Sequence, residues 1–83
     1  MSKRDVLVAM GYEESMCIDG FDDAIIGVDT DGHVVYSYSK MVDCLMKQDN
    51  MGYEEACDFI DYNTIRSLPY IKDAPVVMYG LED

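Results

Sequence analysis

The sequence predicts a small α+β domain in the order αββααβ, with a three-stranded antiparallel sheet and helices packed on one face. Three observations lead there. The chain has 83 residues, the size of one small domain, and 49% are hydrophobic, too many for an acidic disordered tail. Two runs rich in strand-forming residues, 24–29 and 33–38, flank the turn sequence Thr30-Asp31-Gly32. Two later segments, 40–48 and 53–67, carry apolar residues at helical spacing.

Each element has a local cause. Ser2 is placed to cap a helix over Lys3–Met10, with Val6, Leu7 and Met10 on one face and Gly11 as its stop. These residues, 1–11, form an N-terminal unit. An acidic connector follows over 12–23, holding Glu13, Glu14, Asp19, Asp22 and Asp23 and no basic residue. Met16, Ile18 and Phe21 interrupt that charge and are expected to pin the connector to the body.

Residues 24–79 supply the hairpin, two helices and a last strand. A two-residue turn at Asp31-Gly32 would set Val28 against Val35 and mix polar with apolar residues on each face. A three-residue loop with Gly32 left-handed sets Asp29 against His33 and Val28 against Val34. Ala24, Ile26, Val28, Val34, Tyr36 and Tyr38 then share one face, and this is the predicted register.

Ser39 is the expected cap of the next helix, Lys40 to Gln48, with Met41, Val42 and Leu45 inward. Asp43 and Lys47 make an outward i,i+4 pair. After a break at 49–52, a third helix is predicted from Tyr53 to about Ser67, ending before Pro69. Tyr53, Ala56, Cys57, Ile60 and Thr64 mark its apolar side, and Glu54 and Glu55 sit in its first turn, where the helix dipole favours them. Pro75 introduces the last strand, Val76–Tyr79, and 80–83 are expected to fray. The whole reads as a single domain.

Composition excludes several functions. Seventeen Asp and Glu against six Lys and Arg give a net charge of −11, unsuited to direct contact with nucleic acid or an anionic membrane. No run approaches the roughly 18 apolar residues of a membrane span, and residues 1–20 lack a secretory-signal pattern, so a cytoplasmic protein is expected. Cys17, Cys44 and Cys57 are odd in number with no C-x-x-C, which suggests free thiols.

An enzyme is not expected. His33 is the only imidazole, no glycine-rich phosphate loop is present, and no cofactor is implied. Asp29-Thr30-Asp31-Gly32 looks like the start of a calcium loop. His33, however, stands where the next oxygen ligand belongs, and a tight hairpin explains the same letters, so no metal is expected.

The acidity itself is the remaining signal. Beside the connector stands a second group, Glu54, Glu55, Asp58 and Asp61, with 54, 58 and 61 on one helix face opposite Ala56, Cys57 and Ile60. Their spacing of about 4.5–6 Å along the axis is comparable with that of successive phosphates on one strand. Solvated helices ordinarily mix signs, whereas Gly52 to Ile65 holds four acids and no Lys or Arg. The nine acids of both groups are therefore candidate contacts to a basic, nucleic-acid-binding surface of a partner protein. Arg66 is expected to cap its helix end or pair with a nearby carboxylate.

Five stretches together carry a resemblance: 19–28 (DGFDDAIIGV), 35–38 (VYSY), 53–56 (YEEA), 62–70 (YNTIRSLPY) and 75–79 (PVVMY). Over roughly residues 19–79 the chain resembles a family of short proteins encoded by bacteriophages and prophages. One local departure is Gly52, where the family often has Ser, a better helix cap. The resemblance implies a phage accessory protein acting in the host cytoplasm. It is similar to counter-defence inhibitors such as anti-CRISPR proteins and anti-restriction DNA mimics. Some of these occupy the basic cleft in which a Cas nuclease, for example Cas9, reads the short duplex motif beside its target. A structural or adaptor protein, or a homodimer paired through Val76–Tyr79, is the alternative.

Overall fold

Helix formation begins where the chain supplies a cap. In the computed structural model, which describes residues 2–81, Ser2 Oγ accepts the Asp5 N–H at 3.2 Å and the Asp5 carboxylate accepts the Ser2 N–H at 3.3 Å. This reciprocal box opens helix α1, Lys3–Ala9. Gly11, with φ of +99°, turns the chain out of it. Leu7 is buried, while Val6 and Met10 remain exposed, so the inward face is narrower than predicted.

The connector is held as expected: Phe21 is buried and Met16 and Ile18 pack against the core. It contains two single 3₁₀ turns, Glu14–Met16 and Asp22–Ala24. Strand β1 (Ile25–Val28) then pairs antiparallel with β2 (Val34–Ser37). At the turn the predicted register holds. Val28 faces Val34, the Asp29 N–H donates to the His33 carbonyl at 2.9 Å, and Gly32 is left-handed at φ +86°.

Further from the turn the register departs from prediction. The ladder shifts between Ile25 and Gly27, so Ile25, not Ile26, lies across from Tyr36. Ile25 is buried and Ile26 is 43% exposed. An extra residue at Ile26–Gly27 makes a β-bulge, and Gly27 adopts φ +157°, a conformation that residues with a Cβ rarely adopt. Ala24, Val34, Tyr36 and Tyr38 are buried as predicted, and Val28, at the rim, is 38% exposed.

β2 runs directly into α2 (Tyr38–Gln48), capped by Ser37, whose Oγ accepts the Lys40 N–H at 3.4 Å. The predicted cap, Ser39, instead shares a hydroxyl–hydroxyl contact with Ser37 at 3.2 Å. Met41, Val42 and Leu45 point inward as read from the sequence, joined by Cys44. The third helix starts at Gly52 without a side-chain cap and is α-helical only over Tyr53–Phe59, here α3. It continues as a π turn over Ile60–Thr64 and a 3₁₀ segment over Ile65–Tyr70 that contains Pro69. The predicted end before Pro69 is thus replaced by a change of winding. Pro69 has no N–H to donate, so no regular α-helical ladder can run through it. Ala56, Ile60 and Thr64 are buried and Cys57 is half-buried, whereas Tyr53 is exposed.

The last strand, β3 (Val76–Met78), completes a sheet in the order β1-β2-β3. β3 is parallel to β2, with Val35 across from Val76 and Ser37 across from Met78, so the sheet is mixed rather than antiparallel. The cause is the connection. The connection from Tyr38 to Tyr70, made of α2, α3 and its π and 3₁₀ continuation, is long enough to carry the chain back to the start of β2, as a parallel pair requires. The core gathers Leu7, Phe21, Ile25, Tyr36, Met41 and Ile60 between sheet, helices and connector. The predicted fraying of 80–83 falls in part on Glu82 and Asp83, outside the described residues.

Candidate partner interface

The nine predicted acids all reach the surface, but their surroundings differ. In the connector, Arg4 from α1 enters the cluster from the side. Its Nη1 lies 3.1 Å from Asp19 Oδ1 and its Nη2 3.2 Å from Asp22 Oδ1, and Nη2 also donates to the Ile18 carbonyl at 3.3 Å. The Arg4 side chain is only 19% exposed. Burial works against its charge, yet the Asp19 hydrogen bond and the Asp22 and Asp19 charges outweigh it and raise the guanidinium above its ordinary value.

Lys3 Nζ donates to the carbonyls of Asp23 at 3.2 Å and Ile25 at 2.8 Å. Asp23 also shares a shallow groove with Lys40 and Lys47. Four of the six cations therefore gather around the second half of the connector. Its lack of cations is a property of the sequence and not of the surface. The first turn of α1 faces the Asp22–Ala24 turn, which brings Lys3 and Arg4 beside acids 15 to 20 residues away. Glu13 and Glu14 stay exposed at the other end of the connector.

On the third helix the acids keep their charge unbalanced. Glu54, Glu55, Asp58 and Asp61 are exposed, and among the described residues no ion pair reaches them. Arg66, expected to cap the helix or meet a carboxylate, instead lies over the ring of Tyr62, 5.6 Å from its centroid. Asp61 Oδ1 accepts the Tyr38 hydroxyl at 3.1 Å, and the Cys57 carbonyl lies 3.5 Å from the same hydroxyl. Burial pushes the Tyr38 phenol up, and Cys57 and Asp61 add to the shift. Tyr79 packs on Tyr38 with ring centroids 4.8 Å apart and planes tilted by 44°.

The acidic face is thus edged by aromatic rings. Tyr53 is 64% exposed, Tyr62 65% and Tyr79 73%. Helical spacing predicts Tyr53 on the apolar side of its helix, and Tyr79 is expected only as the end of the last strand. The available signal was the count of seven tyrosines and no tryptophan in so short a chain, without a helical stripe to absorb them. The connector meets the 3₁₀ segment at a groove of about 230 Å³ lined by Cys17, Asp19, Asn63, Ser67 and Pro75. Asp19 contributes to it and none of the helix acids does, so this contact does not merge the two groups.

Two other features have ordinary structural accounts. At the hairpin end Asp29, Asp31 and His33 bring one ligand-type atom each within 4.8 Å of the others. Asp29 Oδ1 is already occupied by the N–H groups of Asp31 at 3.0 Å and His33 at 2.8 Å, and Oδ2 lies 3.2 Å from His33 Nδ1. The His33 N–H, chiefly, holds the Asp29 carboxyl below its ordinary value. All three cysteines are free, and burial raises the Cys44 thiol, as in an unreactive packing residue.

No helix among the described residues is long and apolar enough to cross a membrane. No protein-family model, curated protein or solved structure matches the chain.

Proposed function

We propose that this protein is a phage-encoded inhibitor of a host defence nuclease, an anti-CRISPR that binds Cas9 and blocks its contact with target DNA. It acts by occupancy, without turnover, and the acidic face of the third helix takes the place of DNA phosphates. The observation that carries this reading is the contrast between the two acidic groups. Asp19, Asp22 and Asp23 lie among Lys3, Arg4, Lys40 and Lys47, whereas Glu54, Glu55, Asp58 and Asp61 face solvent with no ion-pair partner among the described residues. An uncompensated row of that kind destabilises the fold through self-repulsion and favours a cationic cleft.

The test is charge reversal at positions that do not hold the fold. Glu54→Lys with Asp58→Lys is expected to weaken binding to guide-loaded Cas9 by at least about tenfold, through loss of close charge pairs. Circular dichroism should report an unchanged fold. Reversal of Asp22 is a poor probe, since it would repel Arg4. If the Glu54/Asp58 variant inhibits as well as the parent, the mimic reading is wrong.

A second reading, a structural or adaptor protein that dimerises through Val76–Tyr79, draws on the exposure of Val76 and Met78 at the sheet edge. Light scattering that shows a stable dimer, with the reversals silent, would favour it.

A further inference from the structure

The sheet has two edges, and they are finished differently. At β1 the Ile26–Gly27 bulge interrupts the ladder, and Lys3 Nζ occupies the Ile25 carbonyl. A bulge and a lysine are standard protections against unwanted strand pairing. β3 has neither. It is regular over Val76–Met78, and among the described residues it is paired only with β2 and no hydrogen bond reaches its outer side. Val76 and Met78 are 38% and 41% exposed.

This open edge adjoins the acidic face. Tyr79 follows the strand directly and stacks on Tyr38, whose hydroxyl donates to Asp61 at 3.1 Å. Resting on the acidic-face reading, we propose that the outer edge of β3 receives an extended basic segment of the partner protein as a fourth strand. An arginine or lysine of that segment is held between the Tyr79 ring and the Asp61 carboxylate.

Charge selects this occupant. A second copy would bring its own −11 and its own helix acids against the same face. A basic strand is attracted by Glu54, Asp58 and Asp61 and carries the group that tyrosine rings bind. The chain already holds one such pair internally, Arg66 over Tyr62. Three residues offer few main-chain bonds, so pairing sets direction and register while the cation supplies selectivity.

The experiment titrates the isotope-labelled full chain with an octapeptide alternating valine and arginine. The controls are the valine–glutamate peptide and the arginine peptide N-methylated throughout. The arginine peptide is expected to slow amide exchange within Val76–Met78 by at least about tenfold, as new strand hydrogen bonds would. It should bind at least about tenfold tighter than the glutamate peptide, and N-methylation should abolish binding. Tyr79→Ala, a change at an exposed ring, should weaken it by about fivefold. Equal binding of the glutamate peptide, binding that survives N-methylation, or dimerisation through β3 with the peptide silent would each overturn the proposal.

Failure here is separable from failure of the functional reading. If the Glu54→Lys/Asp58→Lys variant loses nuclease inhibition while the peptide leaves β3 untouched, the acidic face stands and strand addition falls. If inhibition survives that reversal while the arginine peptide still protects β3, the edge stands and the mimic falls.

Discussion

At the residue scale, Arg4 shows how far one side chain can change the meaning of a charge cluster. It ties α1 to Asp19, Asp22 and the Ile18 carbonyl while only 19% exposed. Arg4→Ala removes charged hydrogen bonds and leaves Asp22 Oδ1 buried without its cation, so it is expected to cost about 1–3 kcal/mol. Urea midpoints measure this. Asp29 offers a pH test. Its carboxyl titrates below the ordinary value of 3.8 in the folded chain, so the ionised form is favoured by folding. That stabilisation is present above the ordinary value and disappears as pH falls through the depressed one. Asp29→Ala should therefore lower the melting temperature at pH 7, with the gap to the parent closing in strong acid. A gap that stays constant down to about pH 2 would place the effect in the turn and not in the charge.

At the element scale, the bulge in β1 decides which isoleucine is inside. Ile25→Ala should cost about 2–4 kcal/mol as a core truncation, and Ile26→Ala under about 0.5 kcal/mol. The unbulged register predicts the reverse, so one pair of denaturation curves separates the two. The same strand shows what a sequence discloses. The turn register is legible because Asp29, Asp31 and Gly32 have fixed conformational preferences and period-two alternation leaves one loop length. The bulge is not legible, because a single glycine in a strand is compatible with a straight ladder too. The cap of α2 lies two residues before the expected one for a similar reason: Ser37 and Ser39 are equal candidates until β2 is known to enter the helix without a loop. The parallel pairing of β3 depends on where a long connection returns the chain, which no local pattern encodes. The acidic row on the third helix needed only helical spacing to be read. The pairing of Asp19 and Asp22 with Arg4 needed the packing of α1 against the connector.

At the scale of the whole molecule, the radius of gyration is 12.4 Å, and the excess of eleven negative charges acts over distances comparable with the screening length. With no disulfide or metal implied, self-repulsion weighs heavily on so small a core. The melting temperature is expected to rise between about 10 mM and 150 mM NaCl, over which the Debye length falls from about 30 Å to 8 Å. Scanning calorimetry across that series measures it. Salt should act in the opposite direction on partner binding, because the same charges that strain the free fold attract a basic cleft.

The most direct test of the central claim is equilibrium binding of target DNA to guide-loaded Cas9 with increasing amounts of this protein. The experiment is repeated at low and moderate salt with the parent and the Glu54→Lys/Asp58→Lys variant. The parent is expected to displace DNA competitively and less well at moderate salt, and the variant to displace DNA at least about tenfold less well than the parent. Displacement by parent and variant alike, or no displacement by the parent at either salt concentration, would contradict that claim.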